Sequence, residues 1–293
     1  IWKEQMQLPV EYDTVSGTAS FNVLLAKDPI IISGQPLNTS SEIKPELKKR
    51  GVLGKDFVQI EEAGKSKLGR TIWKLEITEV PEGQKAPVLA MVGRQHPPEV
   101  TGYVASLFFL EELASDTDLA KRFRETFIVE AFPMLNPDGV DMGHWRHNAG
   151  GVDLNRDWEN FNQPENRVVR DALTPIKKDE SKVMFYALDF HSTNENIFYP
   201  INEEVRTSPD NITQKWTGKV VSENPNVAFN IEEFDTSSPI AKNWFYHTFG
   251  IDAVTYEVND KITEEDMEAV SRSAIRSLMQ LLLDEWEKTA LEN

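Results

Sequence analysis

Apolar and polar residues recur along the chain with two different periods. Strand-length runs rich in β-branched and aromatic residues are TIWKLEI (71–77), PVLAMVG (87–93), TFIVEAFPML (126–135), VMFYALDF (183–190) and DAVTYEV (252–258). Several are continuously apolar, which is typical of strands buried on both faces of a sheet. Nearer the start, FNVLLAKDPIIIS (21–33) is strand-like, and SSEIKPELKKRGV (40–52) predicts a short helix that ends at Gly51.

Helical periodicity fills the intervals between these strands. Pro97 and Pro98 lead into EVTGYVASLFFLEELAS (99–115), and proline is well tolerated in a first helical turn. The last helix is predicted to begin at Thr263, where TEED is a capping-box pattern. Alternating strands and helices predict an α/β fold, a mostly parallel mixed sheet with helices on both faces. We expect an irregular lead over residues 1–54 and one larger domain over residues 55–293.

Four polar residues lie at or just past the ends of predicted strands. They are His96, Asn136, His191 and Glu257. In open α/β sheets, ligands bind beyond the carboxyl ends of the strands. The sequence therefore predicts that these four residues lie along the same edge of the sheet.

The composition of the chain limits which partners and which metal ligands a site at that edge can have. The 293 residues include 48 Asp plus Glu against 31 Lys plus Arg, for a net charge of −17. Such a surface argues against nucleic acid or an anionic membrane as a partner. No apolar run approaches the roughly 18 residues of a membrane span. Because the chain has no cysteine, any metal must be bound by histidines and carboxylates.

The histidines offer two candidate ligand pairs. His96 and Glu99 flank the two prolines, which can hold both side chains toward one point. His191 ends the run YALDFHST and completes a set of two histidines and one glutamate, the ligand type of a hydrolytic zinc site. The second pair, His144 and His147 in GHWRHN, has similar spacing, but a surface or substrate-facing role is commoner for histidines in such a loop.

The segment NPDGVDMGHWRHNAGGVDLNRDW, residues 136–158, completes a recognisable order of motifs. With HxxE before it and a late His and Glu after it, the chain resembles a bacterial-type member of the M14 zinc metallocarboxypeptidase family. The resemblance covers roughly residues 55–285 and implies a carboxypeptidase A-like fold.

The resemblance assigns a role to each matching residue. It implies one Zn²⁺ per chain, bound by His96, Glu99 and His191, with Asp153 orienting a ligand histidine. Arg146 would stabilise the developing oxyanion, and Asn155 and Arg156 would hold the terminal carboxylate of the substrate, for which a guanidinium is well shaped. Glu257 would be the general base that activates water against the C-terminal peptide bond; its distance from Trp244 also fits the family spacing.

Two positions depart from the family pattern, and a third bears on specificity. Asp235, beside Phe234, lies where animal members carry a mobile tyrosine, and Pro98 replaces the arginine within HxxE. Lys242 lies where the family sets specificity at the base of the terminal side-chain pocket. A lysine there predicts a preference for peptides that end in Glu or Asp, unless Lys242 is solvated or paired with a protein carboxylate such as Asp235.

Two alternatives stay open at this point. A related zinc amidohydrolase acting on N-acyl amino acids or on peptidoglycan stem peptides would share most of these residues. We therefore expect the substrate to be either a peptide or an acyl-amino acid. A catalytically silent peptide-binding homologue would have the same fold but no hydrolytic activity. Because the sequence begins with Ile1 rather than Met, it fits a trimmed chain or a mature chain that has lost a signal peptide. We expect a secreted or periplasmic rather than a cytoplasmic location.

Overall fold

A computed structural model describes residues 9–25, 27, 30, 32–33, 35–202 and 204–292. The chain divides into two compact units, Ile1–Leu37 and Asn38–Asn293. The domain boundary predicted at residue 54 stays a prediction. Helix α1, Ile43–Lys49, precedes that boundary, and its buried residues Ile43 and Leu47 belong to the core of the second unit.

The first unit contains a small antiparallel hairpin. Strands β1, Glu11–Asp13, and β2, Thr18–Ser20, pair across a turn in which Gly17 has a φ of +68°. Asp13 accepts hydrogen bonds from the backbone and side chain of Ser16, which closes the turn. The strand expected at 21–33 is not formed by the residues described there, and residues 26, 28, 29 and 31 of that stretch lie outside the described set. The side chains of Leu24 and Leu25 are exposed, so these two leucines contribute no buried apolar surface.

The second unit alternates strands with helices, as the sequence predicts. Its remaining strands are β3 Val58–Lys65, β4 Thr71–Ile77, β5 Ala86–Gly93, β6 Ile128–Phe132, β7 Lys182–Thr193, β8 Ile197–Tyr199, β9 Asn230–Ile231 and β10 Ala253–Asn259. Its remaining helices are α2 Val100–Leu113, α3 Asp118–Arg124, α4 Pro137–Met142, α5 Pro164–Leu173, α6 Ile212–Glu223, α7 Ala241–Phe249 and α8 Glu264–Glu292.

Within the described residues the strands of this unit form one eight-stranded sheet. The order is β3-β4-β6-β5-β7-β10-β8-β9. Strands β6, β5, β7 and β10 run parallel to one another at the centre, whereas β4 and β8 join them antiparallel on either side. The predicted mixed, mostly parallel sheet is therefore confirmed, and the carboxyl ends of β5, β7 and β10 lie at one edge.

Both faces of this sheet are covered, which explains the continuously apolar strands. Along β5, Leu89 and Met91 join a core with helices α2, α6 and α8, whereas Val88 and Ala90 join a second core with α5 and α7. Because successive strand residues point to opposite faces, a strand between two helical layers needs apolar residues at every position.

Helix α2 is tied to the C-terminal helix by buried charge. Glu112, 2% exposed, accepts hydrogen bonds from Arg276 at 2.7 and 3.0 Å. Arg272 donates to Glu111 at 2.7 Å. These paired hydrogen bonds between guanidinium and carboxylate groups fix the far end of α2 against α8.

Candidate metal and active site

A rigid turn leads from strand β5 to helix α2. Arg94 has a φ of +51°, so the chain turns sharply after Gly93, and the Arg94 Nε donates to the carbonyl of Pro97 at 2.8 Å. Asn136 donates from Nδ2 to the carbonyl of Gln95 at 3.0 Å, which attaches the turn to the end of β6. The two prolines form this turn rather than the first helical turn, because α2 begins at Val100 with Glu99 as its N-cap residue.

The turn and strand β7 bring three side chains together. His96 Nδ1 lies 2.7 Å from Glu99 Oε1, and His191 Nδ1 lies 2.7 Å from Glu99 Oε2. The candidate ligand atoms of the three residues all lie within 4.8 Å of one another. Two imidazole nitrogens facing one carboxylate form a donor set that suits zinc. The residues present therefore fit the predicted ion.

Each histidine is oriented by a second carboxylate on its other nitrogen. His96 Nε2 lies 2.8 Å from Asp153 Oδ1, and His191 Nε2 lies 2.9 Å from Asp189 Oδ2. Such contacts fix the ring and leave Nδ1 for the metal. Burial alone would raise the pKa of Asp153, but hydrogen bonds from His96 and Arg146 hold that pKa well below its usual range.

Asp189 belongs to a buried network that the sequence alone did not reveal. Its Oδ1 accepts from Gln95 Nε2 at 2.7 Å, and Gln95 Oε1 accepts from Trp158 Nε1 at 2.8 Å. All three side chains are at most 2% exposed. The signal for Asp189 was its place two residues before His191, since alternate residues of a strand share a face.

Close packing of α2 on β7 brings Glu99 to His191. A Cβ on Gly102 would lie 2.1 Å from the carbonyl oxygen of His191. The backbone N–H of Gly102 donates to Ser192 Oγ at 2.8 Å. Only glycine allows the helix to approach the strand this closely.

Glu257 lies next to this group on the neighbouring strand. In the β7–β10 ladder Glu257 pairs with His191. Its Oε2 is buried and makes no hydrogen bond within the described part of the chain. Burial raises the pKa of Glu257 to about 7, although the positive charge of His191 opposes the shift. A carboxylate with a pKa near neutrality is suited to accept a proton.

The loop before α5 supplies the predicted arginines. Arg146 donates from Nε to Asp153 Oδ2 at 2.7 Å, so Asp153 links it to His96. Arg156 is exposed and donates from Nη1 to the carbonyl of Asn155 at 2.7 Å. Asn155 is buried; its Oδ1 accepts from the backbone of Ala241, and its Nδ2 lies 3.1 Å from His191 Nε2.

Lys242, on the first turn of α7, is buried rather than solvated. Its Nζ donates to Asn243 Oδ1 at 2.9 Å and forms no ion pair with a described carboxylate. Asp235 instead accepts four hydrogen bonds from Ser237 and Ser238. Burial lowers the pKa of Lys242 to about 8.

Several of these side chains line one cavity of about 240 Å³. It is lined by His96, Glu99, Arg146, Asn155, Arg156, His191, Ser192, Thr193, Tyr199, Phe234, Ile240, Lys242, Thr255 and Glu257. Typical ligand clefts measure roughly 300–1,000 Å³, so this one suits a single amino acid residue. Asn136 is not among the lining residues; it caps helix α4 by accepting from the backbone of Gly139.

The second histidine pair does not form a metal site. His144 Nδ1 lies 3.1 Å from the carbonyl of His147 rather than beside the other ring. Among the residues that the structure describes, the metal-ligand group is the one formed by His96, Glu99 and His191.

Comparison with known proteins identifies the family. A model of the zinc carboxypeptidase family, peptidase family M14, matches residues 47–280. The chain belongs to the M14 zinc carboxypeptidase family. The predicted family and its zinc cofactor are thereby confirmed. The assignment of that zinc to His96, Glu99 and His191 stays a prediction, which the geometry of the group fits.

Solved metallo-carboxypeptidase structures confirm the predicted fold class. A metallo-carboxypeptidase from Burkholderia cenocepacia superposes with a TM-score of 0.66 at 21% identity, covering 84% of this chain and 69% of that one. A Pseudomonas aeruginosa metallo-carboxypeptidase, in complex with (2-guanidinoethylmercapto)succinic acid, gives 0.64 at 20% identity over 95% and 77% of the two chains. At this identity the similarity establishes the fold alone.

The curated relatives correct the expected location. Cytosolic carboxypeptidase 2 of Xenopus tropicalis is 33% identical over 142 residues, 46% of this chain and 15% of the relative. The human and mouse relatives that match are also named cytosolic carboxypeptidases. The prediction of a secreted or periplasmic protein is therefore wrong; it rested on the first residue, which carries no information about location. The chain spans about a quarter or less of the length of these relatives.

No helix in the described part of the chain is long and apolar enough to cross a membrane.

Proposed function

We propose that the protein is a zinc metallocarboxypeptidase that removes residues one at a time from the C-terminus of peptides. The observation that supports this most directly is Glu257, a half-buried carboxylate whose Oε2 is buried without a hydrogen bond, in the same cavity as His96, Glu99 and His191. The names of the relatives, cytosolic carboxypeptidases, agree with this activity and with a cytoplasmic location.

The chemistry follows from the positions of the side chains. Zinc, when bound by His96, Glu99 and His191, supplies a Lewis acid and makes water a nucleophile near neutral pH. Glu257 accepts the proton of the attacking water and delivers it to the leaving amine. Arg146, partly exposed at the cavity wall, donates hydrogen bonds to the carbonyl oxygen as negative charge develops there.

The terminal carboxylate of the substrate binds to Arg156 in this proposal. The described contacts of the Arg156 side chain use one nitrogen, Nη1, which leaves further N–H groups for a bidentate contact. Asn155 assists mainly by position, because its amide already contacts Ala241 and His191. An enzyme that binds a free carboxylate beside the scissile bond cuts at the chain end.

Lys242 extends the proposal to the terminal side chain. A buried ammonium without an anionic partner is costly, and a carboxylate in the cavity would relieve that cost. Thr255 adds a hydroxyl, because its Oγ1 is buried without a hydrogen bond and Thr255 lines the same cavity. Peptides ending in Glu or Asp therefore fit the site best. The net charge of −17 opposes them only beyond roughly a Debye length of ~8 Å.

The test compares peptides that differ only in the last residue. The wild-type protein should show a kcat/KM about tenfold or more higher for Glu and Asp than for Phe or Lys, the size of one hydrogen bond between charged groups. Lys242→Asp should reverse the order toward Lys. Lys219→Asp, an exposed site on α6, is the matched charge control. The same ranking in wild type and Lys242→Asp would show that Lys242 does not select the side chain.

The same assay separates the competing activity. Replacing the peptides with N-acylated glutamate and with a peptidoglycan stem peptide tests whether the protein is instead an amidohydrolase. Turnover of the acylated amino acid without turnover of any ordinary peptide would replace the carboxypeptidase proposal.

A further inference from the structure

Tyr199, at the end of strand β8, lines the cavity together with the candidate metal ligands. In the sheet, Asp189 of β7, Thr255 of β10 and Tyr199 of β8 are successive register partners. Residues that oppose each other in neighbouring strands point to the same face, with Cβ atoms roughly 4.5–5.5 Å apart. Tyr199 therefore lies on the same face of the sheet as Thr255 and Glu257, and all three line the cavity.

The ring of Tyr199 is held while its hydroxyl is left available. Phe234 packs against the ring edge-to-face, with centroids 5.9 Å apart and planes at 67°. Phe234 is 40% exposed, so the pair lies where the cavity meets solvent. The Tyr199 hydroxyl makes no hydrogen bond with any other described residue. Burial, Glu232 and Glu257 all raise the pKa of Tyr199, so the phenol stays a neutral donor at pH 7.

The cavity has the composition of a site for a carboxylate ligand. Arg146, Arg156 and Lys242 line it as cations. With a volume of about 240 Å³, one bound amino acid residue would be close to most of its walls. Tyr199 lines the same cavity as these cations, so its phenol O–H can donate a hydrogen bond to a carboxylate that they bind.

We propose that Tyr199 is a substrate-binding residue whose hydroxyl donates a hydrogen bond to a carboxylate of the terminal residue. The Tyr199–Phe234 pair forms part of the cavity wall. This assignment rests on the proposed function for the identity of the ligand. It adds a fixed contact from strand β8 to the contacts of Arg156 and Lys242.

Tyr199→Phe removes the hydroxyl and keeps the ring, so it tests the contact directly. The probes are a peptide ending in Glu, for kinetics, and free glutamate, for calorimetric binding to the zinc-loaded protein. The peptide KM and the glutamate Kd should both rise about tenfold or more, the effect of losing one hydrogen bond to a charged group. Zinc content should stay at the wild-type level. Because the contact exists in both ground and transition states, kcat should change less than about twofold.

Two further variants separate binding from structure. Tyr246→Phe makes the same change on α7, outside the residues that line the cavity, and should leave KM and Kd unaltered. Phe234→Leu removes the ring contact but no hydroxyl, and should raise KM less than Tyr199→Phe does. A Tyr199→Phe protein with unchanged KM and Kd, or one that loses zinc and kcat in parallel, would overturn the assignment.

The binding probe also separates this inference from the proposed activity. If the wild-type protein binds glutamate in a Tyr199-dependent way but hydrolyses no peptide, the carboxypeptidase proposal fails and the Tyr199 assignment stands. If the wild-type protein hydrolyses peptides and Tyr199→Phe does so with the same KM, the reverse holds. If the zinc-loaded protein binds no glutamate at millimolar concentration, the assignment is overturned.

Discussion

The close approach of α2 to β7 makes Gly102→Ala a sharp test of how the metal group is assembled. The added Cβ would lie 2.1 Å from the His191 carbonyl oxygen, whereas real Cβ contacts essentially never fall below 3.0 Å. The helix or the strand must therefore shift by about 0.9 Å or more. Glu99 is the N-cap residue of this helix and contacts both histidines at 2.7 Å.

A shift of that size acts on two measurable quantities. Overpacking of this kind costs about 1–3 kcal/mol of stability. A misplacement near 1 Å at a catalytic group costs roughly 10²-fold in rate. We expect weaker zinc affinity in a competitive chelator titration, a lower Tm, and a kcat/KM reduced about a hundredfold.

Gly218 provides the matched control. It also lies inside a helix, α6, but a Cβ there would meet nothing within 4 Å. Because alanine is about 1 kcal/mol better than glycine in a helix, Gly218→Ala should raise Tm and leave zinc affinity unchanged. Wild-type zinc affinity and Tm in Gly102→Ala would refute the argument that this packing sets the position of Glu99.

Further predictions concern the metal and the base. Chelation should abolish activity and added zinc should restore it. The double variant His96→Ala, His191→Ala should lose the single bound zinc in metal analysis. If the double variant kept one zinc per chain, the ion would be bound elsewhere. Asp189→Asn should weaken zinc binding about 10–100-fold, as loss of a ligand-orienting carboxylate does elsewhere; an unchanged zinc Kd would show that Asp189 does not orient His191. Glu257→Gln should lower kcat at least ~10²-fold with zinc retained, and a near-normal kcat would move the base to another residue. Burial raises the pKa of Glu257 to about 7 and a bound cation lowers it, so kcat/KM should fall as pH drops through a value at or below 7.

Much of the sheet and the metal group could be predicted from the sequence. Strand runs apolar at every position indicate burial on both faces, and that implies helices on both sides. The sequence predicts the group of His96, Glu99 and His191 because parallel strands bring their carboxyl ends to one edge and because the spacing matches a family pattern. Both signals can be recognised in the sequence without knowing which strands become neighbours.

Other features depend on which strands become neighbours, which no local pattern records. The contribution of Tyr199 requires the pairing of β8 with β10, and β8 is only three residues long. Whether Lys242 is buried depends on the loop around Asp235, which satisfies its carboxylate within itself. The strand expected at 21–33 is not formed by the residues described there, because apolar composition favours a strand only where a partner strand and a covering layer exist.

The contacts from Arg276 and Arg272 to helix α2 have a consequence for amide hydrogen exchange. Glu99 and Glu112 are 13 residues apart on α2, roughly 20 Å along the helix. An opening of α8 that breaks the contacts with Glu112 frees one end of α2, and an opening at Glu99 frees the other. Bound zinc should therefore slow exchange not only beside the ligands but also in the middle of α8. Removal of zinc by a chelator should speed amide exchange in the middle of α8 before the protein unfolds globally.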